Sequence, residues 1–176
     1  MNRYRACTRG ERAVVNEIEF FHHPAESAPE FPVWGIRVDG TDLRAHVAWA
    51  TRELWRPELE DQFEDQERES AEQIWAGFEG LWVREFSPAS FLSDVDETPL
   101  LGCPCGIWQC APLLASRRVT GTTVTWSTFR LPFREQWGEL PVGPFVFRRD
   151  AYEASLTAPP LLPEDPLGPP PPGLGV

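Results

Sequence analysis

Lysine is absent: all sixteen basic residues are Arg. Arg codons are GC-rich and Lys codons AT-rich, so a GC-rich genome accounts for the bias and no arginine-specific function is read from it. Positive charge is scarce against 27 acids, which gives a net charge of −11 and a pI near 4.7. A surface that acidic repels phosphate backbones and anionic lipid, so neither nucleic acid nor a membrane is expected as a partner. No apolar run approaches the ~18 residues of a transmembrane helix. The start, Met1-Asn2-Arg3-Tyr4-Arg5, has no apolar segment behind it, so an export signal is not expected. A cytoplasmic location follows as an expectation, with the four Cys as reduced thiols. Tyr (two) and Met (one) are also scarce, and aromatic burial falls to eight Trp and eleven Phe.

Catalytic signatures are missing as well. There is no G-x-G-x-x-G, Walker A, G-x-S-x-G or H-E-x-x-H. Acids are abundant, but no pair stands in an apolar setting that would mark it for acid–base work. An enzyme is therefore not the favoured reading.

What the chain does have is Cys103-Pro104-Cys105-Gly106-Ile107-Trp108-Gln109-Cys110, three of its four cysteines in eight residues. Thiolates at Cys103, Cys105 and Cys110 offer three soft ligands, and Zn²⁺ takes four in a tetrahedron. The fourth would come from His22, His23, His46 or Cys7. The spacing C-x-C-x₄-C lacks the paired C-x₂-C of zinc ribbons. One alternative is three small cysteines packed beneath Trp108 in a tight turn. A second is a thiol nucleophile paired with His22 or His23, although no cation or helix start stands near the cluster to lower a thiol pKa.

Residues 14–21 and 33–38 read as strands, and the prolines of 24–32 as a loop between them. Asp39-Gly40 gives a turn, and Thr41 or Asp42 can cap a helix over 42–56. Leu43, Val47, Ala50 and Leu54 form that helix's apolar stripe, with Arg44 and Arg52 facing water. His22 and His23 read as solvated residues at a strand end, and His46 as a boundary residue. Residues 58–72 carry eight carboxylates against Arg68 alone, as an exposed helix or a loop. Helical spacing resumes at Ile74, Trp75, Phe78, Leu81 and Trp82. Ser87-Pro88 opens a short helix to about Leu92. Residues 113–119 and 123–129 bracket a hairpin, with a last strand at 145–147 and a closing helix at 149–156. Trp126, Phe129, Arg130, Arg134 and Trp137 read as core rings with Arg on the rim. Residues 158–176 hold eight prolines in nineteen positions, including a PxxP at Pro169 to Pro172, and read as a disordered or polyproline II tail.

Four pieces together resemble a family of small uncharacterised bacterial proteins. They are Asn16-Glu17-Ile18-Glu19-Phe20-Phe21-His22-His23-Pro24; Cys103-Pro104-Cys105-Gly106 leading to Cys110-Ala111-Pro112-Leu113; Val124-Thr125-Trp126-Ser127-Thr128-Phe129; and Gly143-Pro144-Phe145 with Phe147 and Tyr152-Glu153-Ala154. The likeness spans most of residues 14–156. It implies a single compact domain and brings no activity with it. The family often has an aromatic where this chain has Ala111, an acid at Thr128 and a polar residue near Phe133.

The expected fold is α+β: one domain over 1–157, an antiparallel sheet with two to four packed helices, and a disordered tail over 158–176. The expected function is a small acidic protein–protein interaction module, immunity-like or antitoxin-like, whose acidic residues 58–72 meet a basic partner. The alternative is a zinc or thiol site centred on Cys103, Cys105 and Cys110, either catalytic or a purely structural knuckle.

Overall fold

The computed structural model describes residues 14–59, 72 and 74–168. Within them lie two four-stranded antiparallel sheets. The first holds β1 (Ile18–Pro24), β2 (Pro32–Val38), β3 (Thr41–Asp42) and β4 (Leu81–Trp82); β2 pairs with each of the other three. The second runs β5 (Val95–Leu101), β6 (Leu113–Val119), β7 (Thr123–Arg130) and β8 (Phe145–Arg148) in sequence order. Helix α1 (Leu43–Trp55) follows β3, and α2 (Arg149–Thr157) follows β8. The α+β class holds, with the strands divided between two sheets where one was expected.

Local chemistry explains the elements. Asp39 and Gly40 both take positive φ, 51° and 79°, as a tight hairpin turn between β2 and β3 requires. Asp42 caps α1, its Oδ1 accepting from the Arg44 backbone N–H at 2.9 Å. Gly35 faces Phe21 across the β1–β2 pair, and a Cβ there would stand 2.1 Å from the Phe21 ring. Only glycine lets that ring lie flat on the sheet, where Arg37 covers it at 4.5 Å.

One apolar cluster joins both sheets. At its centre Phe20 meets Phe91 and Tyr152, each at 5.2 Å, and Trp34 and Trp126 at 6.0 and 6.2 Å. Fully buried rings of this size supply most of the apolar area that drives collapse. Trp126 and Phe129 are fully buried, and Arg134 lies over the Trp55 and Trp137 rings near the rim. Backbone bridges Asn16–Phe147 and Glu79–Gly102 tie one sheet to the other.

Four expectations change. Helical spacing over 74–82 does not carry a helix through. The chain turns at Ala76 and Gly77, pairs at Glu79, and enters β4. Gly80 permits this: a Cβ there would stand 2.2 Å from the Trp34 carbonyl, so only glycine lets the chain run this close to β2 as it enters the β4 pairing. Arg44 does not face water but is 2% exposed. His23, expected to be solvated, is fully buried, and His22 is half-buried.

The tail assignment also fails over 158–168. Pro160 and Leu162 lie along β1: His22 N–H donates to Pro160 O at 2.8 Å, and Leu162 N–H donates to His22 O at 2.8 Å. Proline cannot donate, but its carbonyl accepts, and the outer edge of β1 offers unpaired donors. Cys7, most of the acidic segment 58–72 and the PxxP at Pro169 to Pro172 lie outside the described residues. Among the described residues, no helix is long and apolar enough to cross a membrane.

Candidate functional site: a thiol loop beside a buried ionic cluster

The loop between β5 and β6 brings the Cys103, Cys105 and Cys110 sulfurs together, all within 4.8 Å of one another. Cys103 is buried, while Cys105 and Cys110 are exposed. The turn that gathers them has identifiable supports. Gly106 takes φ +82°, and its N–H donates to Cys103 O at 3.1 Å, folding the chain back after Cys105. Trp82 Nε1 donates to Gly106 O at 2.8 Å and clamps the turn from below. A 3₁₀ turn at Trp108–Cys110 then returns Cys110, whose N–H donates to Ile107 O. Trp108 passes so close to Gly102 that a Cβ there would stand 3.0 Å from it, and its ring stacks edge-on against Phe86.

Electrostatics split the thiols. Burial, followed by the neighbouring thiols, pushes Cys103 up to about 12. A hydrogen bond from Cys103 lowers Cys105. The Cys105 backbone N–H also points at Cys103 Sγ, 3.4 Å away, a contact that orients the sulfur and favours its thiolate. Three adjacent thiolates repel one another, and a cation is what lets all three ionise together.

Next to this loop lies a cluster that the sequence reading missed. Glu79, whose backbone pairs with Gly102, is 3% exposed. Its carboxylate accepts from Glu26 N–H and Gly80 N–H, each at 3.0 Å. Burial pushes its pKa up despite those donors. Asp165 on the seated C-terminal segment takes a two-pronged bond from Arg44, 2.7 Å to Oδ2 and 2.8 Å to Oδ1. Burial opposes the charged forms of both partners. The ion pair outweighs it, raising Arg44 and holding the Asp165 carboxyl below the usual range. Arg44 also reaches both oxygens of Asp42 at 3.0 Å. His23 Nδ1 stands 2.9 Å from Pro24 O and 3.9 Å from Asp165 Oδ2, and burial lowers its pKa.

No histidine joins the cysteine trio among the described residues. Of the proposed fourth ligands, His23 belongs to the ionic cluster, His46 Nε2 lies 2.9 Å from Val38 O, and the His22 ring packs against Trp34 at 4.4 Å. No protein-family model, no curated protein and no solved structure matches this chain.

Proposed function

We propose that the protein is a metal-binding module in which Cys103, Cys105 and Cys110 hold one Zn²⁺ as thiolates. The observation that carries this reading is the convergence of the three sulfurs on a loop clamped by Trp82. Tetrahedral Zn–S bonds of about 2.3 Å place ligand sulfurs about 3.8 Å apart, which small side-chain rotations reach from the present spacing. Softness of the donor set selects Zn²⁺ over Mg²⁺ or Ca²⁺. Two exposed sulfurs give the ion a route in and leave its fourth position to a ligand outside the trio. The resemblance to the small bacterial family belongs to this proposal, since the C-x-C-G part of its pattern is the metal loop. So does docking of a basic partner protein on residues 58–72, which rests on their charge alone.

Cobalt substitution tests the reading. Co²⁺ added to the apoprotein should give thiolate-to-metal charge-transfer absorption with the intense visible bands of a tetrahedral site, saturating at one equivalent. Cys103→Ser should weaken the charge-transfer band, and replacing all three cysteines by Ser should abolish it. A spectrum of hydrated Co²⁺ in the unaltered chain would rule the site out.

A further inference from the structure

The second cluster carries an inference of its own. One ring nitrogen of His23 and one carboxylate oxygen each from Glu79 and Asp165 lie within 4.8 Å of one another. We propose that these three residues form a second cation site, separate from the cysteines and suited to a first-row divalent ion such as Mn²⁺ or Fe²⁺.

Three observations support it. The first is charge. Asp42 and Asp165 both bond the Arg44 guanidinium, and a Glu79 carboxylate oxygen lies within 4.8 Å of one of Asp165, so three carboxylates gather around one cation. Glu79 and Asp42 are almost wholly buried, where unbalanced charge is costly. A divalent ion balances the remainder. The second is an orphaned atom. The His23 ring is fully buried; its Nδ1 stands 2.9 Å from Pro24 O, which can only accept, so Nδ1 carries the proton and Nε2, with no hydrogen-bond partner among the described residues, keeps a free lone pair for a cation. Buried polar atoms are seldom left so. The third is support and access. The carboxylates are held by outer partners, Glu79 by two backbone N–H groups and Asp165 by Arg44 and the Leu167 N–H. Metal-binding carboxylates are typically braced in this way. Asp165 also lines an open groove of about 390 Å³ between Pro24–Pro29 and the C-terminal segment, which gives an ion a path from solvent.

The donor set separates this site from the cysteines. One imidazole and two carboxylates are borderline to hard ligands, which suit Mn²⁺ and Fe²⁺, whereas thiolates suit Zn²⁺.

Mn²⁺ titration of the full chain, followed by loss of the free-ion electron paramagnetic resonance signal, tests the site. The Cys103→Ser, Cys105→Ser, Cys110→Ser variant serves beside the unaltered protein, so that failure of the zinc reading and failure of this one remain distinct. One Mn²⁺ per chain in both proteins is expected, with Glu79→Gln weakening binding at least about tenfold. Because Glu79→Gln can disturb folding, Mn²⁺-induced broadening of the His23 ring resonances in the unaltered chain is the second readout. No bound Mn²⁺ at millimolar concentration, or no broadening at His23, overturns the site. Mn²⁺ binding that disappears in the triple-serine variant assigns the ion to the cysteines and overturns it equally.

Discussion

The thiol loop and the buried ionic cluster adjoin each other through the Glu79–Gly102 bridge but are built on opposite plans. The loop is local, drawing its three sulfurs from residues 103–110 and exposing two of them. The cluster is assembled from β1, α1, the turn before β4 and the C-terminal segment, and Glu79, Arg44 and His23 are nearly sealed from water. A local site can be lost with the fold intact. An assembled site is part of what holds the fold, and removing one charge strands the others.

Arg44→Met should therefore produce the largest effect, because it leaves Asp42 and Asp165 without their cation. A loss of about 3–5 kcal/mol in urea unfolding is expected, as for a broken buried pair. A change below about 1 kcal/mol would mean the cluster behaves like surface charge. Gly106→Ala comes next. Its φ of +82° and a Cβ 3.1 Å from Trp82 make about 1–2 kcal/mol the expected cost, with weaker Co²⁺ binding and an unaltered Arg44–Asp165 pair. Trp82→Phe keeps a six-membered aromatic ring but removes the buried pyrrole with its bond to Gly106, so at least about 1 kcal/mol should be lost. Equal Co²⁺ affinity in that variant would show that the clamp does not organise the loop.

Asp150, in the first turn of α2, provides a reference outside both regions. Arg148 and then the Ala151 N–H hold its carboxyl below the usual range. A depressed folded pKa stabilises the protein above the unfolded value near 4, and that stability is lost as pH falls through the folded pKa. Asp150→Asn should flatten the acid limb of the stability curve slightly and change neither site. An unchanged slope would show that this exposed pair contributes nothing.

Legibility followed the same division. The β6–β7 hairpin, the Asp39-Gly40 turn and a helix cap at Thr41 or Asp42 were readable because turn and cap chemistry act between near neighbours, and the structure selects Asp42. The cysteine loop was readable for that reason too. Arg44 was misread because an arginine beside an apolar stripe ordinarily faces water, and its two acids come from Asp42 beside it and Asp165 at the far end of the chain. Proline content hid the seating of 158–168, since the bonds there use proline carbonyls. One signal was present and unused: Glu79 is the lone acid in Ile74-Trp75-Ala76-Gly77-Phe78-Glu79-Gly80-Leu81-Trp82-Val83, and a single carboxylate in so apolar a run is a candidate for burial.

Zinc content of protein purified without a histidine tag, beside the Cys103→Ser, Cys105→Ser variant, tests the central claim most directly. The account predicts about one zinc per chain, bound through thiolates, lost in the variant while its circular dichroism is retained. Zinc absent from the unaltered protein and not taken up on reconstitution would contradict it, and would leave Cys103 as a packing residue and Cys105 and Cys110 as free surface thiols of a tight turn.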